Sequence, residues 1–157
     1  MNEDSSLDNM DYLSRINPAN VVVHKKDIGF ESNFTIMPAD CNYTQRVVFG
    51  GTMLAKMDIT AAACVTRLLR KSVTAESAVT HVVETTFHKP SHCGDIIFLE
   101  ANIVELRKKA IVVQMRVYKE ERKSVEKTLV ATGKFVFVSM SGEHYVNHLL
   151  TLENKNE

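Results

Sequence analysis

Asp58 stands in a run of small and apolar residues, FGGTMLAKMDITAA (49–62), which two glycines, Gly50 and Gly51, open. A carboxylate seven residues beyond a glycine pair can do chemistry with it if the run is a helix. The first N–H groups of a helix have no partner inside it. The helix dipole backs them, so together they suit a carbonyl oxygen that gains negative charge. Glycine lets a ligand approach that backbone closely. A nearby carboxylate can activate water or attack a carbonyl carbon itself. The two features together fit acyl transfer. The simpler alternative has Asp58 pairing with a cation from a partner subunit and the glycines only starting the helix.

A helical wheel shows why Asp58 draws the eye. At about 100° per residue, Leu54, Ala61 and Val65 fall within about 60° of Asp58, and Leu68 within about 80°. Lys56 and Arg67 fall roughly opposite. Asp58 is therefore expected on the buried side, where a carboxylate is costly unless it is paired, protonated or facing a wet cleft.

The elements that must position this helix follow from patterning. Residues 28–37 (IGFESNFTIM) read as a strand stopped by Pro38, residues 38–48 as an irregular connection, and residues 50–70 as one long helix. Four β-like runs follow, at 78–88, 95–106, 110–119 and 127–139, separated by turn residues. In IVVQMRV, Ile111, Val113, Met115 and Val117 alternate with Gln114 and Arg116, as in an antiparallel strand covered on one side. A helix followed by a strand meander predicts an α+β fold, with the helix packed on one face of an antiparallel sheet. Residues 1–18 are polar and aperiodic and read as a flexible N-terminal segment. Residues 19–140 form one domain, and 141–157 a C-terminal tail.

Composition narrows the function class. The chain has 157 residues, with 19 Lys plus Arg against 19 Asp plus Glu. That balance speaks against a basic nucleic-acid platform or a polybasic membrane surface. No apolar run approaches the roughly 18 residues of a membrane helix. The acidic start is unlike a secretory signal, and Cys41, Cys64 and Cys93 lack metal-ligand spacing, so a reduced, cytoplasmic protein is expected.

PADCN (38–42), FGGTMLAKMDITAA (49–62), TTFHKPSHCGD (85–95) and the strand pair after them resemble the hotdog-fold acyl-CoA thioesterases, in the branch of short-chain bacterial acyl-CoA hydrolases and mammalian tandem-hotdog enzymes. The resemblance spans roughly residues 30–140. It implies a long central helix wrapped by a curved antiparallel sheet, and a homodimer or higher homo-oligomer with active sites at the subunit interface. The implied reaction is hydrolysis of acyl-CoA to a carboxylic acid and coenzyme A. By the same resemblance, Asp58 is the catalytic carboxylate, and the N–H of Gly50 or Gly51 polarises the thioester carbonyl. An Asn from the loop before the helix contributes from the opposite subunit; its nearest match is Asn42. That loop is about one residue longer than in relatives and carries Val47 where they have a polar residue. Thr44, Gln45 and Arg46 therefore stay open as alternatives.

The resemblance also points to a basic corner, Arg107 and Lys108, for the phosphates of coenzyme A, with a solvated hairpin turn as the plain alternative. Lys89 is a further candidate, and Thr86, at the end of the first meander strand, a polar group beside the pocket. His88 and His92 are four apart in a strand end and turn, so no metal site is expected, and no cofactor beyond the substrate's own coenzyme A. The competing function is a regulatory hotdog protein that binds acyl-CoA without turnover. A hydratase ranks third, since no His lies between residues 25 and 80.

Overall fold

The computed structural model describes residues 20–153. The expected flexible segment 1–18 lies outside them. Among the described residues the strands are β1 (Val21–Val23), β2 (Gly29–Thr35), β3 (Ser77–Phe87), β4 (Ile96–Leu106), β5 (Ala110–Glu120), β6 (Lys127–Ser141), β7 (His144–Tyr145) and β8 (Leu150–Leu152), and the one α-helix is α1 (Gly50–Leu69). The long elements fall within two residues of their expected bounds, because each carries many turns or alternations of its own period.

The main sheet runs β2-β4-β5-β6-β3, with β7 added along β6. All its pairings are antiparallel. Ile97, Leu99, Ala101 and Ile103 of β4 and Ile111, Val113, Met115 and Val117 of β5 are buried at period two. They meet Met53, Met57, Ala61, Cys64, Val65 and Leu68, the apolar stripe of α1, in one core. The register shifts at Thr80/Val82, Ile103/Glu105 and Val117/Tyr118. Each bulge bends and twists its strand, so the sheet curls around the helix. Gly133 of β6 leaves room for the close approach: a Cβ there would lie 3.0 Å from Met57 Cε and 2.8 Å from the Phe135 ring.

Two features of the architecture matter for the site. First, β3 pairs with β6 on one side only, so it is an edge of the sheet. Second, the stretch expected as a C-terminal tail is built into the fold through residue 152. β8 pairs in parallel with β1, and Leu150 and Val23 join the core. His148 is buried beside them: its Nδ1 accepts from the Leu150 N–H at 3.1 Å, and its Nε2 faces the Ala110 carbonyl at 3.4 Å. Three-residue strands carry too few alternations for sequence patterning to show them.

Candidate active site

The helix start is unusual in what it leaves free. Phe49, the residue before α1, is extended (φ −68°, ψ 129°) and supplies no side-chain cap. Its carbonyl takes the N–H groups of Thr52 at 3.0 Å and Met53 at 3.1 Å. The amides of Gly50 and Gly51 have no acceptor among the described residues. Both glycines are exposed. The Phe49 ring lies over Gly51, where a Cβ would come within 2.5 Å of it. The expected pair of free donors at the tip of a helix is present, and glycine is what the ring above Gly51 tolerates.

Asp58 sits two turns further on. The buried stripe of α1 holds Met57 and Ala61 on either side of it in sequence. Asp58 itself is half-buried, on the shoulder of that stripe facing β3. Its Oδ1 accepts a hydrogen bond from Thr80 Oγ at 2.9 Å. No cation forms an ion pair with it among the described residues. Among the described residues the carboxylate is therefore neither in a dry core nor paired with a cation; one oxygen is oriented and the other has no partner there. Thr60, two residues on, turns to the opposite shoulder, where it meets Ser32 Oγ at 2.7 Å.

Thr80 escaped the sequence reading for a physical reason. It is the last regular residue of β3 before the bulge, which shifts the inward and outward alternation of the rest of the strand. No local pattern announces that shift. Beyond it, Thr85 faces the helix near Met57. Thr86, next in the strand, therefore faces away from α1 and does not join Asp58 or the helix start.

The loop before the helix is a small hairpin. Cys41 bridges Val48, and the Asn42 N–H donates to the Val47 carbonyl at 2.8 Å. The Asn42 side-chain oxygen accepts from Thr44 Oγ at 2.6 Å and Thr44 N at 3.2 Å, so the turn uses it, while its NH2 has no partner among the described residues. Gln45 takes a positive φ of 55°, which closes the turn. Gln45 and Arg46 point to solvent.

The structure divides the basic candidates between the two ends of the sheet. Thr80 pairs with Phe137, which pairs with Ile111. The β4–β5 turn holding Arg107 and Lys108 thus lies at the Asp58 end. Arg107 is clamped by Glu105, with Nε to Oε1 at 2.8 Å and an NH2 group to Oε2 at 3.0 Å. That pair lowers the Glu105 pKa and raises that of Arg107. Lys108 is exposed and forms no ion pair among the described residues. Lys89 lies at the other end, where it lines a cavity of about 300 Å³ together with Gly50, Met53, Phe87 and Ser91.

The remaining candidates are quiet. Burial pushes the Cys64 thiol up to about 11, so it stays protonated and is no nucleophile. His88 Nε2 pairs with Thr132 Oγ at 2.8 Å, and His92 sits over the Asp95 turn. No three metal-binding side chains cluster among the described residues. No helix there is long and apolar enough to cross a membrane.

A family model described as the thioesterase superfamily matches residues 45–126. No curated protein matches the sequence. Among solved structures, an acyl-CoA hydrolase from Staphylococcus aureus in complex with butyryl coenzyme A, coenzyme A and coenzyme A disulfide is similar. It shares 20% identity over 87% of this chain and 80% of its own, with a TM-score of 0.75. The same hydrolase has also been solved as single Asn-to-Ala, Asp-to-Ala and Thr-to-Ala mutants. An acyl-CoA hydrolase from Bacillus cereus shares 23% identity over 86% of this chain and 80% of its own, with a TM-score of 0.70. A hexameric thioesterase from Yersinia pestis shares 23% identity over 76% and 93%, with a TM-score of 0.67.

Proposed function

The chain belongs to the thioesterase superfamily, and on that premise we propose that it hydrolyses acyl-CoA thioesters in a site shared between two copies of itself. The observation that carries this reading is the separation of two complementary groups on one helix. The free amides of Gly50 and Gly51 and the carboxylate of Asp58 are seven or eight residues apart, which is about 10–12 Å along the axis. Both must come within about 3 Å of one reacting carbonyl group, directly or through one water. That separation is at the limit of what one carbonyl and one water can span, so a site completed by a second copy fits the two groups better.

The exposed edge of β3 supplies the way. Val79, Val82, Val83 and Phe87 are large apolar side chains left exposed along it. The strand runs from the Asp58 end, at Thr80, to the Gly50 end, at Phe87. Two copies paired antiparallel across a two-fold axis place the start of one strand beside the end of the other. The helix tip and Lys89 of one copy then lie next to Asp58, Thr80 and Lys108 of its partner. The hexameric state of the Yersinia pestis thioesterase supports an oligomeric reading.

In that site the thioester oxygen rests on the Gly50 or Gly51 amide. Asp58, oriented by Thr80, takes a proton from water as the water oxygen attacks the carbonyl carbon. The tetrahedral intermediate collapses, the carbon–sulfur bond breaks, and the proton passes to sulfur. A carboxylic acid and coenzyme A leave. Attack by Asp58 itself through a mixed anhydride uses the same atoms and reaches the same products. The NH2 of Asn42 is the loop donor that orients water or substrate, and Lys108 and Lys89 are the cations for the coenzyme A phosphates. The residue types replaced in the Staphylococcus aureus hydrolase (Asn, Asp and Thr) are those of Asn42, Asp58 and Thr80 here. No resident cofactor enters the reaction.

The test is thiol release from acyl-CoAs of graded length by the wild type and Asp58→Asn. Turnover by the wild type that falls at least a thousandfold in a folded Asp58→Asn protein is expected. Acyl-CoA that raises the melting temperature without being hydrolysed at any length would replace the hydrolase with a binding module.

A further inference from the structure

Two cysteines that the reaction does not use meet beside the helix start. Cys41 opens the small hairpin before α1, where it bridges Val48, and its thiol donates to the Met37 carbonyl at 3.5 Å. Cys93 lies in the connection between β3 and β4. Its N–H donates to the Arg46 carbonyl at 3.0 Å, and the next residue, Gly94, donates to the Ile36 carbonyl at 2.8 Å. Each cysteine thus joins the same two segments, 36–37 and 46–48, and the bridge between Val47 and His92 holds that register. The two thiols are within hydrogen-bonding reach of each other. Partial burial raises the Cys41 pKa, and the charge of Cys93 and a hydrogen bond between the two side chains raise it further. Both residues are half-buried and both are free thiols. The third cysteine, Cys64, is buried in the core.

The pair sits against the candidate site. Asn42 follows Cys41, and the carbonyl of Asp40 before it takes the Phe49 N–H at 2.9 Å, which fixes the entry to α1 and its free amides. We propose that Cys41 and Cys93 are a redox modification site, which a low-molecular-weight disulfide such as oxidised glutathione converts to an intrachain disulfide that lowers turnover. The control of turnover rests on the thioesterase reading; the bond itself does not. One cysteine thiolate attacks the oxidant's sulfur–sulfur bond, forming a mixed disulfide and expelling one glutathione thiolate. The second cysteine gives up its proton and attacks the protein sulfur of that mixed disulfide, expelling the other glutathione. Two protein thiols are oxidised to one disulfide, and one glutathione disulfide is reduced to two thiols. Excess thiol reverses both steps. In a reducing compartment such a bond is transient and serves sensing, not permanent stapling. A disulfide sulfur has no proton to donate, so Cys41 releases the Met37 carbonyl as it is drawn to Cys93. Asp40 and Asn42 move with it. A displacement of about 1 Å at a positioned group can lower a rate by about a hundredfold.

The experiment treats the full chain with excess oxidised glutathione, removes the oxidant and counts free thiols in the unfolded protein. The wild type should fall from three thiols to one, with a cross-linked peptide joining Cys41 to Cys93. Cys64→Ala should still form that bond, and the double variant Cys41→Ser/Cys93→Ser should not. Closing a loop of about 50 residues should raise the melting temperature of the oxidised wild type by roughly 5–10 °C. Hydrolysis of butyryl-CoA, followed by loss of thioester absorbance so that no thiol reagent intrudes, should fall at least about fivefold on oxidation and return with dithiothreitol. The double variant should show no response. Three free thiols after treatment, glutathione adducts without an internal bond, or a cross-link between chains overturns the proposal. A bond that forms while turnover stays unchanged overturns its control of the site. If the reduced protein hydrolyses nothing, the thioesterase reading fails, and the thiol count and melting temperature still decide whether the bond forms.

Discussion

Thr80→Val isolates the contact that sequence patterning missed. The two side chains have nearly the same shape, so the substitution removes the 2.9 Å hydrogen bond to Asp58 Oδ1 and little else. A hydrogen bond to a charged group contributes about 1.5–3 kcal/mol net. The Asp58 carboxylate is half-buried, and water can replace part of the lost contact in the folded, unliganded protein, so the loss of stability should stay below about 1 kcal/mol. In the closed site no water replaces it. The full contact then matters to the position of the base, at about 1.4 kcal/mol for each tenfold in rate. The expected result is a fall in kcat of roughly 10- to 100-fold with KM changed by less than about threefold. Ser at position 80 should restore most of the rate, since it restores the hydroxyl. Steady-state thiol release with butyryl-CoA measures both constants, and thermal unfolding confirms the fold. An unchanged kcat in Thr80→Val, or an equal loss in Thr80→Ser, would refute the claim that this hydroxyl positions Asp58.

Mixing two inactive proteins tests the shared site. Asp58→Asn and Gly51→Val chains refolded together should recover roughly a quarter of the wild-type sites, because half the dimers are mixed and each mixed dimer has one intact site. No recovery would place both groups in one copy. Val82→Lys puts like charges against each other across the two-fold edge of β3; Val82 is 38% exposed, so the isolated chain should still fold. Size-exclusion chromatography should show a smaller species, and activity should fall with it. The buried His148 has its pKa lowered by burial, below the usual value near 6.5. The unfolded chain then binds more protons than the folded one, so stability is full above about 6.5 and falls as pH drops below it, by at most about 1.4 kcal/mol per pH unit. Denaturant midpoints from pH 7.5 to 5 should show that slope in the wild type and a flatter one in His148→Gln.

Much of the molecule could be read along the chain. The helix and the five long strands declare themselves because a period of 3.6 or 2 repeats often enough within each of them, as in Ile111, Val113, Met115 and Val117. The glycine pair and Asp58 also stand out, since a carboxylate beside Met57 and Ala61 breaks a local pattern. The short pieces did not show: β1 and β8 hold three residues each and pair with one another across most of the chain, and β7 holds two, in a tight hairpin with the end of β6. The division of Lys89 and Lys108 between opposite ends of the sheet depends on the registers of β3, β6 and β5 in series. Thr80 meets Asp58 as the last residue of β3 before a bulge that shifts the alternation of the rest of the strand. Composition and spacing carry the chemistry of single residues. Register, bulges and the packing of distant segments are set by contacts that no local window contains, and these decided which of those residues meet.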